Sequence, residues 1–206
     1  MRLGIPLLTL FSAVAAAVSA APAPVAAPAP PPALAERQSQ PTFPQPPGER
    51  NINAAATWDD IRGVSDLSRW ILDYHNQFRA QFGSPPLQWD GNLAFFETMH
   101  TFSCNNSHWG NDNLAWYSTT GPASYPVNQL IDMWAGEWVD HYNPPREVYD
   151  HFSAMVWASA TNVGCSWSLR CRDGDWPNHI YFTCRYGPVV NLLGQYAENV
   201  GAFRGS

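Results

Sequence analysis

Few residues in this chain can do covalent or ligand chemistry: four cysteines, six histidines and the carboxylates near them. Three of the cysteines, Cys165, Cys171 and Cys184, share one stretch with His151 at its head. It reads D-H-F-S-A-M-V-W at 150–157, V-G-C-S-W-S-L-R-C at 163–171 and I-Y-F-T-C-R-Y-G-P at 180–188. The fourth, Cys104, falls in a loop with His108 and Asp112. No C-x-x-C spacing exists, so the thiols read as two disulfides rather than a zinc site, with three connectivities open. Ser153 is a poor nucleophile candidate, because a helix turns positions i and i+2 apart and no G-x-S-x-G elbow is present. All 11 basic residues are arginine. Without lysine there is no P-loop, Schiff-base nucleophile or Ser-Lys dyad. The net charge is −6 and no basic cluster occurs, which argues against a nucleic-acid partner. Asn105 opens a glycosylation sequon, Asn105-Asn106-Ser107, expected on an exposed loop.

These residues must be positioned by the elements around them. Val163, Cys165, Trp167 and Leu169 alternate with polar or small residues, as do Ile180, Phe182, Cys184 and Tyr186, with Asp173-Gly174 and Pro177 between. That pattern predicts a half-buried antiparallel hairpin. Setting Cys165 opposite Cys184 also sets Trp167 against Phe182 and Leu169 against Ile180, so one register makes both a disulfide and an apolar face. Cys104 and Cys171 are then left to each other, tying an upstream helix end to the hairpin turn.

Upstream, Ser65 and Asp66 open a helix with an inward stripe of Leu67, Trp70, Ile71, Tyr74 and Phe78, closed by Gly83. An extended link, 85–90, leads to a second helix over roughly 91–101 with Leu93, Phe96 and His100 inward. Residues 117–126 read as a loop. A third helix starts near Pro126, with Leu130, Ile131, Trp134 and Trp138 buried and Glu137 at the border of that face. Asn143-Pro144-Pro145 ends it, and His151 to Ser159 reads as a fourth, short helix. Spacing alone makes Glu137 and His151 a satisfied structural pair as readily as a functional one. His75, His100, His141 and His179 read as structural or surface residues.

Residues 1–20 read as a secretory signal: Arg2, the apolar run Leu7–Val18 and the small-residue ending Val18-Ser19-Ala20. That run is too short for a membrane span. Residues 21–56, rich in Pro and Ala, read as a disordered leader, and 57–206 as one domain. A secreted, extracellular destination suits disulfides. Helices followed by paired strands make the fold class α+β.

Five segments extend this reading: Y-H-N-Q-F-R-A-Q-F-G-S-P-P-L-Q-W-D at 74–90, D-N-L-A-W at 112–116, W-A-G-E-W at 134–138, D-H-F-S-A-M-V-W at 150–157 and Y-F-T-C-R-Y-G-P-V-V-N-L at 181–192. In this order they resemble the CAP superfamily of cysteine-rich secretory proteins, venom antigens and plant pathogenesis-related proteins. They correspond to its opening helix and link, its G-E-N-L-A element, its W-x-x-E helix and its two signatures. The resemblance implies a three-layer α-β-α sandwich around a central antiparallel sheet. It also implies a cleft lined by two histidines and two acidic residues, which fall here on His108, Asp112, Glu137 and His151. Asp112 departs from the family's glutamate; one methylene shorter, it is expected to reach a histidine only through water. His75, Asn76 and Arg79 belong to the opening motif, with packing and polar bridging as their roles.

Two imidazoles facing one cleft, His108 and His151, would ligate zinc or a similar divalent ion, oriented by the two carboxylates. The family also implies a non-enzymatic protein that binds a small apolar lipid, a sterol or fatty acid, with Trp116, Tyr117 and Tyr125 covering it. Two other readings stand beside that one. One is an extracellular protein-interaction module, in defence or host contact, with a vestigial cleft. The other is a metal-dependent hydrolase with Glu137 as base.

Overall fold

A computed structural model describes residue 43 and residues 50–122, 124–142, 145–172 and 178–205. The expected signal, most of the expected leader, Asn143-Pro144 and the hairpin turn at 173–177 lie outside the described residues. In chain order the elements are β1 (Asn51–Ile52), α1 (Trp58–Ile61), α2 (Asp66–Gln81), β2 (Gln88–Trp89), α3 (Gly91–Ser103), β3 (Asp112–Thr119), β4 (Tyr125–Pro126) and α4 (Val127–Ala135). A 3-10 turn (Gly136–Trp138), α5 (Val139–Tyr142), α6 (His151–Val156), β5 (Asn162–Ser168), β6 (Asn178–Gly187) and α7 (Tyr196–Asn199) follow.

The hairpin β5–β6 is the centre. It is antiparallel with Cys165 opposite Cys184 and Trp167 opposite Phe182, and both Cys165–Cys184 and Cys104–Cys171 are bonded. β3 adds antiparallel to β6, whereas the two-residue β2 adds parallel to β5, so the sheet is mixed at one edge, in the order β2-β5-β6-β3. On the apolar face lie α2, α4 and α6, whose Ile71, Tyr74, Phe78, Trp134 and Phe152 join Trp167 and Phe182 in one core cluster. Trp134 stacks on Phe182 with ring centroids 5.2 Å apart.

The opposite face is covered too, so the hairpin is not half-buried: Ser166, Ser168, Tyr181 and Thr183 are buried under α3. The approach is close enough to decide which face of α3 turns inward. A Cβ on Gly164 would lie 2.2 Å from the Ala94 backbone nitrogen, and Thr98 Oγ1 is 2.9 Å from Ser166 Oγ. At those two contacts α3 presents a small and a hydroxyl side chain, and the helix buries Ala94, Glu97, Thr98, His100 and Thr101. Phe96, expected inward, is exposed, and Leu93 is only partly buried. The result is the three-layer α+β sandwich, α3 on one side of the sheet and the remaining long helices on the other.

Two further expectations change. Residues 117–119 are strand, paired with Ile180, His179 and Asn178, and Tyr125–Pro126 pairs with β1; Ser and Thr here serve a ladder, not a loop. The packed chain also starts before residue 57. Ile52 is fully buried, Trp167 Nε1 donates to the Ala54 carbonyl, and the Arg50 carbonyl accepts from Val127 N.

α2 places three polar side chains in the interior. Asn76 bonds both the N–H and the carbonyl of Leu87, fixing the link after the helix. Arg79 donates to the carbonyls of Pro85, Met155, Trp157 and Ala160. Those bonds gather up the end of α6, which stops at Val156 rather than Ser159. His75 donates from Nδ1 to the Ile71 carbonyl, and its Nε2 accepts from the Tyr186 hydroxyl.

Burial, with Arg79 also opposing a second positive charge, lowers the His75 pKa to about 4. In the unfolded chain a histidine titrates near 6.5. Between those values only the unfolded state holds the proton, so stability falls as pH drops through about 6.5 and levels off for this group below about 4. The loss is on the order of 3 kcal/mol. His75→Gln, unfolded in urea across this range, should show a shallower pH dependence than the parent chain; an unchanged slope would remove His75 as its source.

Candidate functional site

One open cleft of about 450 Å³ has His108, Asp112, Asn113, Glu137, His151 and Asn191 among its lining residues. His151 opens α6, where the Asp150 side chain accepts from Ser153 N at 3.0 Å as the N-cap. Glu137 arrives from the 3-10 turn that continues α4. Its Oε1 accepts from His151 Nδ1 at 2.7 Å, and its Oε2 accepts from the backbone nitrogens of His151 at 2.9 Å and Phe152 at 3.4 Å. Both carboxylate oxygens are thus occupied in holding α6 and the imidazole.

His108 is held in the same manner. Its Nδ1 donates to the Asp112 carbonyl at 2.9 Å and to Asp112 Oδ1 at 3.1 Å. The contact is direct and not through water, as the missing methylene had suggested. The loop curls so that His108 lies beside the start of β3, and a short side chain suffices. Each Nδ1 faces only acceptors, so each ring carries its proton there and leaves an Nε2 lone pair. Among the described residues neither Nε2 has a hydrogen-bond partner. The two ring centroids are 5.7 Å apart. Asn113 donates to the His151 carbonyl at 2.9 Å and to the Tyr186 hydroxyl at 3.3 Å, tying β3 to α6.

Behind the cleft is a buried cluster absent from the sequence reading. Asp112 Oδ2 is 3.0 Å from His100 Nδ1, which is also 3.1 Å from Glu97 Oε2. His100 Nε2 is 3.0 Å from the Ser107 carbonyl and 3.2 Å from the Tyr181 hydroxyl. That hydroxyl gives its proton to the Asn105 carbonyl, so it can only accept from His100. His100 thus sits among carboxyl, carbonyl and hydroxyl oxygens on both of its ring nitrogens. Glu97 Oε1 receives Arg185 Nε at 2.6 Å. Arg185 thereby brings a cation to a pocket in which Glu97 and Asp112 are both buried. Burial, then the charges of Asp112 and Glu97, raise the Tyr181 pKa to about 12. Glu97, His100 and Asp112 bring ligand atoms within 4.8 Å of one another, a group that could hold a metal ion. The i, i+3 spacing of Glu97 and His100 on one helix face was the available signal. Arg185, 88 positions from Glu97, gave none.

Trp116 and Tyr117 stand 46% and 41% exposed on β3, and Tyr117 stacks on Tyr125 at 4.0 Å. They are not among the residues lining the histidine cleft. Asn105 is exposed, with its side-chain oxygen accepting from Ser107 N. His75, His100, His141 and His179 are all buried.

The family model described as "Cysteine-rich secretory protein family" matches residues 72–186, more than half of the chain and all four cleft residues. Secreted protein RBT4 of Candida albicans is 30% identical over 159 residues, covering 73% of this chain and 43% of that protein. Secreted protein PRY1 of the same organism is 30% identical over 138 residues, covering 63% of this chain and 31% of that protein. The chain thus spans less than half the length of both. Pathogenesis-related leaf protein 4 of Solanum lycopersicum is 29% identical, with 60% of this chain and 79% of that protein covered. Among solved structures, MpPR-1i shares the fold with a TM-score of 0.50 at 22% identity, covering 66% of this chain and 96% of its own.

Replacing His100 by phenylalanine leaves Glu97 and Asp112 without the ring that sits between them. Breaking one partner of such a buried network costs about 3–5 kcal/mol. Adding Glu97→Gln to that variant should recover part of the loss, a coupling of about 1 kcal/mol or more. Urea unfolding of the two single variants and the double variant measures it, and strictly additive effects would contradict the network.

Proposed function

The chain belongs to the cysteine-rich secretory protein (CAP) family, and from that premise we propose that it is a secreted, extracellular protein whose cleft binds a divalent metal ion through Nε2 of His108 and His151. The observation that carries this is the pair of imidazoles whose Nδ1 atoms are held by Asp112 and Glu137, with neither Nε2 hydrogen-bonded among the described residues. The donor set fits zinc: neutral imidazole nitrogens, each backed by a carboxylate. With Zn–N bonds of about 2.0–2.1 Å, rings whose centroids are 5.7 Å apart can share one ion. Two protein ligands leave other positions for water or for an oxygen donor of a bound partner. Glu137 acts here by positioning. Its oxygens are engaged with His151 and the start of α6, which weighs against the hydrolase reading with Glu137 as base. Support for secretion comes from the two disulfides and from relatives called secreted proteins. No described helix is long and apolar enough to cross a membrane.

A second reading rests on a different place. Tyr117, exposed on β3, and the half-buried Tyr125 stack as an aromatic pair at the edge of the sheet, suited to the flat face of a sterol or the chain of a fatty acid, whereas Trp116, the next residue along the strand from Tyr117, points to the opposite face. Strand pairing fixes these rings, so the ligand would lie on a preformed surface and not beneath a mobile cover.

Calorimetric titration of chelator-stripped protein with zinc should show one ion per chain. His108→Ala and His151→Ala should each weaken binding at least tenfold, and Asp112→Asn by about tenfold. Zinc affinity unchanged in both histidine variants would refute the metal reading. Sterol binding unaffected by Tyr117→Ala would remove the aromatic-pair reading.

A further inference from the structure

α3 is built inside out. Its two ionisable side chains, Glu97 and His100, are fully buried, and its outward residues are Asn92, Phe95, Phe96, Met99, Phe102 and Ser103, none of them charged. Phe95, Phe96, Met99 and Phe102 are 45%, 37%, 46% and 46% exposed. Trp58 of α1, 66% exposed, stacks on Phe95, and Trp109, 37% exposed, meets Phe96 edge-on. Arg185 lies over the Phe96 ring at 4.5 Å and Arg170 over Phe102 at 5.3 Å.

The ring contacts join these residues into one surface, and its composition is that of an interface core: aromatics, methionine and arginine, with charged groups only at its two ends. At roughly 200 Å² per large side chain, its exposed part is on the order of 500 Å². That is as large as the biggest apolar patch of an ordinary monomer, and most of the ~800 Å² per partner that a stable complex buries.

The charges around it select the occupant. At the N-terminal end of α3 lie Asp90, its N-cap, and the exposed ion pair Asp59–Arg62 beside Trp58, which leaves that end net acidic through Asp90. At the C-terminal end lie the exposed Arg170, over Phe102, and the exposed Arg172. An acidic end and a basic end on one apolar helix face are self-complementary when two copies lie antiparallel, about a two-fold axis perpendicular to the helix. Antiparallel helix dipoles add to the match. An anionic membrane fits less well, because it attracts clusters of 4–8 basic residues, whereas this chain has net charge −6 and no lysine. We propose that the outward face of α3, with Trp58 and Trp109, is a homodimer interface in which two copies of the chain pack α3 against α3 in antiparallel fashion.

Sedimentation velocity of the secreted, disulfide-intact chain over roughly 1–100 µM, the range in which an interface of this size associates, tests it. The parent chain should shift from monomer to dimer with concentration. Met99→Glu and Phe95→Glu, both at exposed positions, should weaken association at least tenfold with unchanged near-ultraviolet circular dichroism. A monomer at every concentration would overturn the proposal, as would a dimer indifferent to both substitutions. A monomer that co-floats with phosphatidylcholine vesicles and loses this on Met99→Glu would also overturn it and give the face to a membrane.

Discussion

Arg79 is a fully buried cation whose described partners are all carbonyl oxygens, those of Pro85, Met155, Trp157 and Ala160. A guanidinium out of water is tolerated only when its fork of donors is met. Here the acceptors come from the end of α6, the turn into β5 and the link after α2. Helix ends leave carbonyls unsatisfied, and Arg79 satisfies those of α6 from a neighbouring helix. Burial draws its pKa down to about 10, still a cation at neutral pH. One residue of α2 thereby fixes where α6 ends, and so where it begins.

The beginning of α6 is where the chemistry lies. With its far end held by Arg79, its first turn meets Glu137, which accepts from two backbone nitrogens and from the His151 ring. Asn113 bonds the His151 carbonyl from β3, one residue after Asp112, so the same strand orients both imidazoles. Asp112 divides its oxygens between His108 in the cleft and His100 behind it. The accessible histidine is thus coupled to a buried polar cluster, and through Glu97 and His100 to the helix whose outer face is aromatic. The polar interior and apolar exterior of α3 are two sides of one arrangement.

Much of this was legible in the sequence where a single pattern served two purposes. The register that pairs Cys165 with Cys184 also aligns Trp167 with Phe182, so disulfide and apolar face had to agree, and they do. The stripe of α2 was equally clear, because one face of that helix meets the core along its length. Legibility ended where a distant partner sets the outcome. Phe96 was read as inward because aromatic residues usually are; Gly164, far along the chain, brings α3 close at Ala94 instead. Residues 117–119 read as loop because the strand that pairs with them lies some sixty residues later. At the site, motif placed His108, Asp112, Glu137 and His151. The Glu97–Arg185 pair stayed hidden, since nothing local links those two residues.

The central claim is that two carboxylates fix both cleft imidazoles with the proton on Nδ1, leaving Nε2 free as a ligand. Nitrogen-15 chemical shifts of the His108 and His151 rings, read by long-range correlation in metal-free protein at mildly alkaline pH, test this directly. The account predicts a protonated Nδ1 and an unprotonated Nε2 in both rings. Rings carrying the proton on Nε2 would contradict it, for the atoms assigned to a metal would then be donors.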